Sequence, residues 1–88
     1  MDYVLTEHVK TRMKERNISD SDLDRVLQSP QQVIEQDDGT YAYQSLIVRQ
    51  KRIVMIRVFV DNRIDPARVI SAYITTRPDY WTLDDNAT

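Results

Sequence analysis

No cysteine occurs in the chain, which excludes disulfide staples and thiolate metal sites. With one histidine, a histidine-rich zinc site is excluded too. Glycine also occurs once, so there is no glycine-rich loop for a nucleotide phosphate, and no Ser or Cys nucleophile motif is present. No apolar run reaches the about 20 residues a membrane-spanning helix needs, and the opening residues lack a secretory-leader pattern. The composition therefore predicts a cytoplasmic protein with no membrane partner and no cofactor.

What is present suits one small soluble domain. Eighty-eight residues can hold one core and not two. The net charge of −2 argues against a protein that coats nucleic acid wholesale. Charge is nonetheless segregated. Residues 1–16 carry +1, residues 17–48 carry −5, residues 49–77 carry +5 and residues 78–88 carry −3. The first and third blocks could share a basic surface.

Residues 1–78 read as the folded domain and 79–88 as an acidic tail carrying Tyr80 and Trp81, aromatics suited to stacking on a base or pinning the tail to the sheet. Asp2–Leu5 reads as a flexible lead-in. Thr6 is a plausible N-cap for a first helix over Glu7–Arg16. Ser19, with Asp22 three residues on, caps a second helix, and Ile18 and Leu23 fall where a hydrophobic staple belongs. Ser29-Pro30 ends that helix. Strands are expected over Gln32–Gln36, Thr40–Val48, Arg52–Val60 and Ala67–Thr76, with turns at Asp37-Asp38-Gly39 and Arg49-Gln50-Lys51. The predicted fold class is α+β, an N-terminal helical hairpin packed on one face of a four-stranded, mainly antiparallel sheet.

Alternation along the strands suggests a dry face and a wet one. Ala42, Leu46, Val48, Val54, Ile56, Val58, Val60, Ile70, Ala72 and Ile74 are assigned to the helices. The opposite face then collects Tyr43, Ser45, Arg57, Ser71, Tyr73 and Arg77. Arg57 is the most informative of these. A guanidinium in an apolar strand must find solvent, a carboxylate or a ligand. Beside Tyr73 and Arg77 it could grip a phosphate and offset charge developing in a transition state. A wetted structural face would collect the same residue types.

His8, Arg12 and Arg16 fall at helical i, i+4 steps. His8 is the side chain that titrates near neutrality and so could act as a general acid or base, or be a surface histidine. Arg12 is placed for a phosphate, and Arg16 for packing with its stem buried. Asp20, Asp22 and Asp24 read as helix-start acids, and no metal site is assigned.

The pattern His8-x3-Arg12-Met13-x2-Arg16-x-Ile18, with the helix Asp22–Leu27, Pro30 and the strand near Ile70–Thr75, resembles small bacterial domains related to the RelE/ParE-type toxins of type II toxin–antitoxin systems. The resemblance implies a cytoplasmic toxin held inactive by a cognate antitoxin. It also implies a metal-independent endoribonuclease, with His8, Arg57, Tyr73 and Arg77 catalytic, Arg12, Tyr43, Lys51 and Arg52 binding the RNA, and the RNA 2′-hydroxyl as nucleophile. A non-catalytic toxin that binds a protein such as DNA gyrase, or a module retaining only antitoxin pairing, is the alternative. A homodimer through an exposed strand edge is a third option.

Overall fold

Thr6 starts the first helix as its sequence position suggests. Its hydroxyl oxygen accepts the Val9 amide at 3.1 Å, satisfying one of the donors a helix start leaves open. The helix (α1, Glu7–Glu15) ends in a Schellman motif. Asn17 takes the left-handed conformation (φ 56°), which asparagine tolerates better than most residues. The Ile18 amide then donates to the Met13 carbonyl at 2.9 Å, and the Asn17 amide to Lys14 at 3.3 Å. Met13 and Ile18 are both buried, supplying the apolar contact that accompanies this turn. Ser19 caps the second helix (α2, Asp20–Gln28) by accepting the Asp22 amide at 3.0 Å.

The computed structural model describes residues 1–76. Arg77 and the tail 79–88, with Tyr80 and Trp81, lie outside the described residues. Strands β1 (Tyr3–Leu5), β2 (Gln32–Glu35), β3 (Tyr41–Arg49), β4 (Arg52–Asp61) and β5 (Ala67–Thr75) form a five-stranded sheet in the order β1-β5-β4-β3-β2. This corrects the predicted four-stranded sheet behind an N-terminal helical hairpin. The chain begins with a strand, not a helix, and the sheet is mixed, because β1 runs parallel to β5 while the other pairs are antiparallel. Three residues are too few to display alternation, so the lead-in carries no strand signal of its own. Its pairing comes from the far end of the chain, where Tyr3 lies opposite Ala67. Tyr3 and Leu5 pack on the core, and Val4 points out.

Two turns set the registers. Between β2 and β3 the loop Asp37-Asp38-Gly39 closes with the Gly39 amide donating to Gln36 at 3.1 Å and the Gln36 amide to Thr40 at 2.8 Å. Gly39 has φ 86°, the left-handed position at which a type I turn passes into a bulge. Between β3 and β4 the turn has two residues, Gln50 (φ 52°) and Lys51 (φ 64°), flanked by the pair Arg49 and Arg52. Two successive positive φ values mark a type I′ turn.

That turn decides the faces. It places Tyr41, Tyr43, Ser45 and Ile47 opposite Val60, Val58, Ile56 and Val54, so these alternate residues of β3 face the helices. Ala42, Gln44, Leu46 and Val48 face away, the reverse of the apolar assignment made from β3 alone. A three-residue turn would shift the pairing by one residue, and a one-residue slip inverts every side chain. A bulge between Phe59 and Val60 similarly puts Val69 in the core and leaves Ile70 exposed.

The helices cover one face. Val9, Met13, Ile18, Leu23, Val26 and Leu27 pack against Ile56, Val58, Val60, Val69 and Ala72. Fully burying each larger aliphatic side chain contributes about 1.5–3 kcal/mol. Arg16 crosses from α1 to donate to the Ala72 carbonyl at 2.8 Å, covering the edge of β5 beyond the end of β1, where an unpaired strand would otherwise lie open.

Candidate functional site

The face without helices carries one polar row. Gln32, Gln44, Arg57 and Tyr73 are direct cross-strand neighbours on β2, β3, β4 and β5. Hydrogen bonds join them in the same order. Gln44 Nε2 donates to Gln32 Oε1 at 2.8 Å, Arg57 Nε donates to Gln44 Oε1 at 2.9 Å, and Arg57 Nη1 donates to the Tyr73 hydroxyl at 2.6 Å. The last is short, as expected when the donor is charged.

Arg57 is the centre of this row and is only 8% exposed. Its guanidinium lies 5.0 Å from the Phe59 ring centroid and 5.7 Å from that of Tyr73, within cation–π range. The two rings stack on each other, with centroids 5.9 Å apart and planes 24° from parallel. Gln44 is completely buried; a buried amide needs both ends satisfied, and the row supplies both partners. Chemically, the site offers a fixed guanidinium, a phenol bonded to it and an aromatic wall, groups that suit a phosphate and a base.

Of the residues singled out from sequence, Arg57 and Tyr73 meet here, and Ser71 lies on the same face opposite Phe59. Tyr43 does not join them. It sits opposite Val58 on the helix side and packs against the core. Ser45 is buried on that side, its hydroxyl accepting the Gln31 amide at 3.1 Å. His8 is exposed on α1, so the sheet separates it from Arg57 and the two cannot share one site. Arg12, on the same helix, is ion-paired with Glu15 at 3.1 Å. Lys51 and Arg52 are exposed at the β3–β4 turn, and Arg52 is about 17 Å along the strand from Arg57. Arg77 lies outside the described residues. Gln32, Gln44 and Phe59 complete the row and its wall without having been singled out. The parity imposed by a two-residue turn would have placed Gln44 beside Arg57.

Away from the row, Tyr3 donates to Asp24 Oδ1 at 2.9 Å, tying β1 to α2. Burial, reinforced by the hydrogen bond and charge of Asp24, pushes its phenol up to about 12. At the other end, Asp61 holds Arg63 at 2.9 Å, and hydrogen bonds from Arg63 keep the Asp61 carboxyl below its usual range. Arg63 also donates to the Asp38 carbonyl at 3.3 Å, bracing the Gly39 turn.

Residues 5–74 match the family described as Domain of unknown function (DUF4258). No curated protein and no solved structure matches the chain. No helix among the described residues is long and apolar enough to cross a membrane.

Proposed function

The chain belongs to that family, and we propose that it is the toxin of a toxin–antitoxin pair, taking RNA on the helix-free face and cleaving it there. The observation carrying this reading is the Arg57–Tyr73 pair, joined at 2.6 Å beside the Phe59 ring. The resemblance of the His8–Ile18 pattern to RelE/ParE-type toxins supports it. In this reading Arg57 grips the scissile phosphate and stabilises the added negative charge as the reaction proceeds. Tyr73 holds the ribose 2′-hydroxyl, and Phe59 stacks on a base. The 2′-oxygen bonds to phosphorus as the bond to the 5′-oxygen breaks. The 2′-hydroxyl proton passes to solvent and the departing oxygen takes one from solvent, leaving a cyclic phosphate. His8, on the other layer, takes no part in this chemistry.

One observation favours the non-catalytic alternative. Arg57 is nearly buried, and its Nε and Nη1 already donate within the sheet, as in a structural network. Incubating the purified chain with single-stranded and structured RNA in EDTA separates the two. Cleavage abolished by Arg57→Lys and by Tyr73→Phe, with His8→Ala unaffected, supports the nuclease. Growth arrest on expression with intact RNA points to a protein target. The absence of both cleavage and growth arrest would remove the toxin reading.

A further inference from the structure

The outer edge of β3 is only half covered. β2 ends opposite Gln44, while β3 continues to Arg49. The groups that face outward are identified by their bonds. The Gln44 carbonyl accepts the Gln31 amide at 3.1 Å, and the Leu46 amide donates to the Gln31 side-chain oxygen at 2.9 Å. By strand alternation, the N–H and carbonyl of Val48 point the same way. Gln31 thus stands in for a strand at Leu46 and goes no further. Beyond it, no strand among the described residues pairs with this edge.

A groove of about 460 Å³ runs beside the edge, with Asp22, Arg25 and Ser29 on its helix side and Ser45–Arg49 along its floor. The two faces of the edge differ. On the helix-free face, Leu46 (38% exposed), Val48 (75%) and Ile53 (66%) form an apolar cluster, with Val48 directly opposite Ile53. On the groove side, Arg49 is held by Asp22 at 2.7 Å and by the Asn17 carbonyl. Arg25 lines the groove, and Lys51 and Arg52 are exposed at the adjoining turn. Soluble proteins protect such edges with charge, proline or a covering element. Here the most exposed residue of the edge is a valine.

We propose that this edge takes an extended, acidic segment of a partner protein as a sixth strand, hydrogen-bonded to the backbone of Leu46 and Val48. A strand laid there presents alternate side chains to the two faces. Its apolar residues meet Val48 and Ile53, and its acidic residues meet Arg25 and the turn cations. A segment alternating Glu or Asp with Val or Ile is therefore the complementary sequence. A second copy of this chain fits less well, because it would bring another Arg25, Lys51 and Arg52 to an edge that already carries these cations. The proposal does not depend on RNA cleavage, since the edge is separate from the Arg57 row.

The test uses the full chain and a fluorescent eight-residue peptide alternating Glu and Val, read by anisotropy and by amide hydrogen exchange. Binding should slow exchange at the Val48 amide. Val48→Lys and Arg25→Glu, both at exposed positions that should leave the fold intact, should each weaken binding about tenfold. A Lys/Val peptide, or a Glu/Val peptide N-methylated on its backbone, should bind at least as much more weakly. Equal binding of the Lys/Val or N-methylated peptide, or unchanged affinity in Val48→Lys, would overturn the proposal. So would a concentration-dependent dimer of the chain alone that protects Val48.

Discussion

The stretch from His8 to Ile18 and the row from Gln32 to Tyr73 are built by opposite logics. In the first, neighbours in sequence are neighbours in space, and local rules assign most of the roles. Met13 and Ile18 close a helix end and enter the core, Asn17 makes the left-handed turn, Arg16 covers a strand edge and Arg12 pairs with Glu15. In the second, four side chains from four strands become one network only when every register is correct. A conspicuous sequence pattern can therefore be largely scaffold, while the most organised polar chemistry leaves little trace in any one segment.

Substitutions can break this contrast or sharpen it. Met13→Ala should cost most, about 3 kcal/mol in urea unfolding, because it leaves a cavity and removes the contact that seals the α1 turn. Gln44→Leu should cost about 2 kcal/mol, since it takes from Arg57 Nε and Gln32 Oε1 the partners they have in the row. A loss under about 0.5 kcal/mol would show that the row is held by solvent and not by its own members. Gln50→Asn combined with Lys51→Gly should instead stabilise by about 1 kcal/mol, measured as a raised urea midpoint, because both positions have positive φ.

Alkaline titration probes the Tyr3 link. The folded phenol titrates near 12 against an ordinary value of 10.0, so folding favours its protonated form. That contribution is complete below pH 10 and is lost as pH climbs towards 12. Thermal melts across that window should fall less steeply for Tyr3→Phe than for the parent chain. An identical slope would detach the phenol from stability. The smallest effect is expected at His8, where replacement by Ala should change stability by under about 0.5 kcal/mol. A larger loss in the same unfolding experiment would give His8 a structural role that its exposed position does not explain.

Much of the fold was legible where local chemistry is decisive. Thr6 and Ser19 cap the helices as their positions indicate, and β2 to β5 fall within a residue or so of the predicted ranges. β1 was not legible, because a three-residue strand acquires its identity only from Ala67–Val69. The β3 faces were inverted for a different reason. Choosing the more apolar alternate set favoured Ala42, Leu46 and Val48, whereas the length of the Gln50-Lys51 turn fixes parity whatever the hydropathy. Arg57 and Tyr73 could be placed on one face because each was tested against its own strand. Gln44 was missed with the rest of the β3 faces, because the parity of the Gln50-Lys51 turn is what sets it opposite Arg57. The bulge at Phe59/Val60 had no glycine or proline to announce it, so Val69 and Ile70 exchanged the roles their spacing suggested.

The parallel pairing of Tyr3–Leu5 with Ala67–Val69 has a consequence for synthesis on the ribosome. Among the described residues, β1 emerges before both helices while its strand partner Ala67–Val69 emerges after every other strand, so α1 leaves the ribosome before β5, the strand it packs against, exists. Closure then waits on the strand pairing of greatest sequence separation among the described residues, the kind that slows folding. A nascent chain halted before Ala67 would hold Tyr3 and Leu5 without their strand partner, leaving β1 the segment most open to a quality-control protease.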